Sequence, residues 1–170
     1  MTGSANGAER NRTGMIAIDI SVEAGDWPEE ETLRSLAERA IGVALAEIGA
    51  EEEAEAELSL LFTDDAHMRA LNRQWRGKDK STNVLSFPAS GTVPGDPLPP
   101  ILGDIVLARE TVISEAALDE MPFEHHLIHL IVHGLLHLVG HDHEDGGDAE
   151  RMEALERAAL ARLAIPDPYR

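Results

Sequence analysis

Four of the eight histidines in this chain fall within eleven residues, HGLLHLVGHDH, from His133 to His143. Most of what separates them is leucine, valine and glycine, and imidazole is a poor filler for an apolar helix unless it has chemistry to do. Residues four apart lie on one helical face. His133 and His137 therefore point the same way, a turn apart, within reach of one shared metal ion. Gly140 lets the chain leave the helix with φ > 0, and a chain that turns back there brings His143 to a third corner. Three protein ligands leave a fourth position for water, the arrangement of a catalytic rather than a structural zinc. Read without a metal, these are core or surface histidines, but three at ligand spacing with a glycine at the turn favour the ion.

The spacing H-x3-H-x2-G-x2-H matches the zinc pattern of metzincin proteases. One position departs from it. Metallopeptidases place Glu after the first histidine as the general base, and here that residue is Gly134, which transfers no proton. The pattern thus implies an activated water without the usual peptidase base. His141 and Asp142 sit between Gly140 and His143. Either is a candidate to orient a ligand ring or move a proton, and Asp142 is the stronger of the two; the bland alternative is a solvated turn. His129, one turn before His133, reads as a buried, hydrogen-bonded histidine, and His125 and His126 as surface. The chain has no cysteine, so a thiolate site is excluded and the ion must be held by His, Asp or Glu. One zinc per chain fits best, with nickel or another divalent ion almost as well suited to three imidazoles.

Charge adds a second candidate feature. The net charge is -18, and so acidic a surface repels phosphate, which argues against generic nucleic-acid binding. The charge is uneven, however. Glu23 to Glu57 is strongly acidic, whereas Arg69, Arg73, Arg76, Lys78 and Lys80 stand together against Asp79 alone. Arg69, Arg73 and Arg76 recur at i, i+4 and i+7, one cationic helix face that ends beside Gly77. A planar guanidinium suits a phosphodiester because it donates two parallel hydrogen bonds. The bland alternative, a salt-bridged surface face, is the better reading for Arg69 and Arg73 taken alone.

These groups must be carried by ordinary elements. Alternation predicts strands at Met15–Val22, Ala56–Phe62, Asn83–Phe87 and Ile101–Ala108. A helix opened by Asp26-Trp27-Pro28 carries a buried stripe of Leu33, Leu36, Ala37, Ala40, Ile41, Ala44, Leu45 and Ile48 and stops at Gly49. Thr63-Asp64 caps a helix running to about Arg76. Further helices are predicted at Glu110–Leu118, at Pro122 to about Val139, and, after a break at Gly146-Gly147, from a cap at Asp148 to near Ile165-Pro166. The Pro-rich segment from Ala89 to Pro100 is a loop long enough to suspect a function. The fold class is α+β: a single domain, a roughly four-stranded mixed sheet packed against about five helices, with the metal site on a central helix and the turn after it. Residues 1–14 read as a disordered tail on a cytoplasmic protein, 15–165 as one metal-dependent hydrolase domain and 166–170 as a C-terminal tail. No apolar run approaches the roughly 20 residues of a membrane span.

Three motifs in order, LNRQWRGKDKSTNVLSFP (Leu71–Pro88), LGDI (Leu102–Ile105) and HGLLHLVGHDH, resemble those of the YbeY family of endoribonucleases, also called rRNA maturation factors. The resemblance covers about Ile16 to Leu163. It implies metal ligands at His133, His137 and His143, a non-ligand role for His141, and an essential arginine at Arg76. Arg73, Lys78 and Lys80 become candidates to bind substrate around it. It further implies a zinc-dependent, single-strand-specific endoribonuclease of the bacterial cytoplasm. Such an enzyme acts in ribosomal RNA processing, chiefly maturation of the small-subunit 3′ end, and in ribosome quality control. Ribosomal proteins and assembly GTPases of the small subunit are the implied partners. Two other classes compete: a zinc metallopeptidase-like hydrolase, disfavoured by Gly134, and a non-catalytic assembly factor with a structural metal, disfavoured by the lack of a fourth protein ligand unless Asp142 supplies one.

Overall fold

The computed structural model describes residues 12–13, 16–50, 54–142 and 144–169. Five strands form one mixed sheet: β1 (Arg12–Thr13), β2 (Ile16–Val22), β3 (Ala56–Thr63), β4 (Val84–Pro88) and β5 (Ile101–Ala108). Five helices are described: α1 (Glu30–Glu47), α2 (Asp65–Arg76), α3 (Arg109–Leu118), α4 (Phe123–Leu138) and α5 (Gly146–Ala161). The sheet order is β1-β2-β3-β5-β4. β2, β3 and β5 run parallel, with β1 and β4 antiparallel at the two edges. This is the expected α+β domain, with a two-residue strand added. Of the tail expected over residues 1–14, residues 1–11 and 14 lie outside the described residues, while Arg12 and Thr13 pair with Ala17 and Ile16.

The burial pattern explains the layering. Ile16, Ile18 and Ile20 alternate into one face of β2, and Leu58, Leu60 and Phe62 do the same on β3. The predicted α1 stripe from Leu33 to Ala44 packs on that face as the crossover between two parallel strands. There it meets α4 and α5 in the main core. The opposite face carries a smaller core of Met68, Leu85, Val106 and Ala108, covered by α2. β5 is thus buried on both faces, as a central parallel strand must be. Removing a side chain the size of Ile105, fully buried, from water contributes roughly 1.5–3 kcal/mol.

One expected boundary is corrected. Asp148 does not cap the last helix; Asp145 does, its carboxylate accepting the Asp148 backbone N–H at 2.8 Å. Gly146 and Gly147 are the first turn of α5 rather than a break, because an N-cap carboxylate satisfies a helix start that glycine alone would leave weak. No described helix is long and apolar enough to cross a membrane.

Candidate functional site

α4 is the central helix because nearly every position on it is apolar and buried, from Leu127 to Leu138. The exceptions fall four apart. His129, His133 and His137 form a narrow, partly exposed stripe down an otherwise buried cylinder. The Nε2 atoms of His133 and His137 stand 3.1 Å apart, with ring centroids separated by 4.6 Å. Donors 2.0–2.1 Å from a tetrahedral zinc lie about 3.3 Å from each other, so the pair fits two corners of such a site. His143, the third expected ligand, lies outside the described residues. Among the described residues no third His, Cys, Asp or Glu completes a metal-holding group.

The other nitrogen of His133 shows what the ring is arranged for. Its Nδ1 meets Glu156 Oε1 of α5 at 2.5 Å, and Glu156 is fully buried. A carboxylate at Nδ1 holds the proton there and leaves the Nε2 lone pair to face a ligand. Burial pushes the Glu156 carboxyl up, but hydrogen bonds from His129, His133 and Tyr169 outweigh it and bring the pKa down to about 2. An ionised, fully buried carboxylate needs a compensating positive charge. A divalent ion across the His133 ring supplies one, so the donor set fits a metal.

Sequence reasoning missed Glu156, though a signal existed. Met152, Ala159 and Leu160 are the buried stripe of α5, and Glu156 stands in the middle of it at i+4 from Met152. A lone carboxylate on an apolar stripe is seldom buried without a partner. Tyr169, whose hydroxyl donates to Glu156 Oε2, carried no such signal.

Two glycines explain why the motif reads as it does. A Cβ on Gly134 would lie 2.9 Å from Ile105 Cγ2, so the position of the peptidase glutamate faces a filled core rather than the ligands. Gly140 has φ +101°, as the predicted turn requires, and a Cβ there would strike the Thr92 carbonyl oxygen at 2.2 Å. The long loop between β4 and β5 therefore presses on the turn that leads out of α4.

His133 and His137 line an open cleft of about 640 Å³ together with the cations Arg76, Lys78 and Lys80, and with Asp142 near the turn. α2 delivers Arg76 as its last residue. Gly77, at φ 69°, then reverses the chain, and buried Asn72 pins the following loop by donating from Nδ2 to the Lys80 carbonyl at 2.8 Å. Arg76 Nη2 donates to the Ser86 carbonyl on the outer edge of β4 at 3.0 Å, and Ser86 Oγ donates to the Gly134 carbonyl at 3.1 Å. The edge strand thus bridges arginine and histidine helix. Six of the eight expected site residues, His133, His137, Asp142, Arg76, Lys78 and Lys80, are brought to one cleft. Arg73 is exposed on α2 and does not line it. Arg69 turns away into a two-pronged bond with Asp79, at 2.8 and 3.1 Å.

The remaining histidines sort differently from expectation. His126 is buried, not at the surface, because its Nε2 meets Glu115 Oε1 at 2.9 Å. His141 lines the cleft beside Asp142, and burial, with help from the Arg151 charge, lowers its pKa. Trp75 is 63% exposed, while Phe87 is partly buried against the smaller core.

Residues 19–164 match the family Endoribonuclease YbeY. The chain is 55% identical over 159 residues to the Endoribonuclease YbeY of Rhizobium meliloti (strain 1021), covering 91% of this chain and 95% of that protein. It is 56% identical over 154 residues to the protein of the same name from Chelativorans sp. (strain BNC1), covering 91% and 93%. The solution structure of TM1509 from Thermotoga maritima shares the fold with a TM-score of 0.54 and 25% identity, over 86% of this chain and 91% of that one. The chain belongs to the YbeY endoribonuclease family.

Proposed function

We propose that this protein is a metal-dependent endoribonuclease that cleaves single-stranded RNA during ribosomal RNA processing, chiefly at the small-subunit 3′ end. One observation carries the reading: an imidazole pair, ordered by a buried carboxylate, shares one cleft with three cations. His133, His137 and His143 would hold the ion, zinc for preference. A bound divalent ion supplies Lewis acidity toward water and a phosphoryl oxygen. Arg76, anchored on the Ser86 carbonyl, places its remaining N–H donors for the scissile phosphate and for charge that builds there during cleavage. Lys78 and Lys80, with Arg73 behind them, track the flanking backbone phosphates, and Asp142 orients a ligand or passes a proton.

The net charge of -18 makes long-range attraction of RNA weak, so a local cationic wall and a protein partner must do the docking. Ribosomal proteins and assembly GTPases of the small subunit, in the bacterial cytoplasm, are the proposed partners. A peptidase reading fails on Gly134, which offers neither a base nor room for one beside Ile105.

The test measures bound metal by elemental analysis, then follows cleavage of single- and double-stranded RNA with and without chelator. One ion per chain and chelator-sensitive cleavage of the single strand are expected. Cleavage that survives complete removal of metal would sink the proposal.

A further inference from the structure

The main site leaves one buried contact unused, at the C-terminal end of the chain. Past α5 the backbone turns back along that helix. Ile165 is buried in the main core, and Asp167 Oδ2 lies 3.9 Å from Arg157 Nε. Asp167 Oδ1 accepts the Tyr169 backbone N–H at 2.8 Å. These contacts deliver the only tyrosine of the chain to the far side of Glu156. Its ring packs edge-on against His129 at 5.6 Å between centroids, and its hydroxyl donates to Glu156 Oε2. The same carboxylate's Oε1 holds His133 Nδ1 at 2.5 Å. Tyr169 lies beyond the residues 19–164 matched to the family.

We propose that Tyr169 is a positioning residue: through Glu156 it fixes the orientation and Nδ1–H tautomer of His133, and so sets how tightly the site holds its metal. The inference rests on the metal reading above. A carboxylate with one oxygen on His133 and no hydroxyl donor on the other can rotate and shift its share toward His129, whose Nε2 already lies 3.6 Å from Oε1. The phenol hydroxyl removes that freedom by occupying the second oxygen. Burial and the neighbouring Glu156 carboxylate both raise the Tyr169 pKa, so the hydroxyl keeps its proton and stays a donor. Outer-sphere partners of this kind are worth about 10–100-fold in metal affinity or activity. Acting one bond further out, Tyr169 belongs at the low end of that range.

Tyr169→Phe removes the hydroxyl and keeps the ring against His129. Two readouts test it, neither of them turnover. The first is the imidazole ¹⁵N spectrum of the metal-free protein. Wild type should show His133 protonated at Nδ1, and the variant a mixture of tautomers. The second is metal affinity by chelator competition, expected to fall about tenfold in the variant, with an unchanged circular dichroism spectrum. A wild-type His133 protonated at Nε2, or a variant with the wild-type His133 signal and zinc affinity within about twofold, overturns the inference. If wild type takes up no metal, the metal reading fails while the tautomer measurement still decides the role of Tyr169.

Discussion

α4 and α2 both carry titratable or charged side chains at helical spacing, and the fold treats them in opposite ways. On α4 the histidine stripe is enclosed by apolar neighbours and answered from behind by a fully buried Glu156. On α2 the arginine face is solvent-exposed, and its first member is bound by an equally exposed Asp79. An exposed pair of this kind is screened and worth little, whereas a buried carboxylate on a ring nitrogen holds that ring in one orientation and one tautomer. Only Arg76, at the helix end, is drawn into the cleft, because a backbone carbonyl of the edge strand anchors it. Periodicity therefore identifies a face in both helices, and the partner behind each side chain decides whether it is poised for chemistry.

Substitutions that remove one member from each region sharpen that contrast. His137→Ala should have the largest effect. A structural zinc site is worth about 10–16 kcal/mol over four ligands, so loss of one should weaken binding on the order of a hundred- to a thousandfold. Elemental analysis after gel filtration checks it, and a variant with full metal content would remove His137 from the ligand set.

Arg76→Ala comes next. Losing one group that stabilises transition-state charge typically costs about a hundredfold in rate. Metal content and thermal stability should stay at wild-type values, and unchanged cleavage of single-stranded RNA would end the assignment.

The N-cap of α2 gives a smaller, purely structural effect. Asp64 Oδ1 accepts the His67 backbone N–H at 2.9 Å. Asp64→Ala should cost about 1 kcal/mol of stability with little change in cleavage rate at saturating metal. The effect should also depend on pH. That backbone hydrogen bond, joined by the His67 side chain, lowers the Asp64 pKa. A group with a depressed folded pKa stabilises fully above its unfolded value, near 3.9, and loses that contribution as pH falls through the folded value. The gap between wild type and Asp64→Ala in urea midpoint should thus be complete at neutral pH and shrink in acid. A gap that stays constant down to strongly acidic pH would contradict the carboxylate cap. Arg69→Ala should matter least, changing cleavage by less than about threefold because its exposed bond to Asp79 does not touch the cleft; a larger loss would extend the substrate path along α2.

Much of the scaffold was legible because it depends on local pattern. The α1 stripe, the Asp64 cap, the glycine at the end of α2 and the strand alternation in β2 all follow from period and punctuation within a few residues. Gly146-Gly147 misled, since a pair of glycines looks like a break unless the cap before it is known to satisfy the first turn. His126 misled for a related reason: its partner Glu115 sits on α3, eleven residues earlier in sequence and on a different element.

By itself the sequence determined that His133 and His137 share a helix face, that the chain can turn at Gly140, and that a cationic segment ends at Arg76 and Lys80. These are consequences of 3.6-residue periodicity and of glycine's freedom at positive φ, and they hold wherever the segment is placed. Only the tertiary structure decided that Glu156 and Tyr169 stand behind His133, that Ile105 fills the place of a peptidase base, and that the outer edge of β4 joins arginine to histidine across one cleft. Those contacts link residues 10 to 48 positions apart on different elements, and burial makes such partners decisive while no local pattern encodes them.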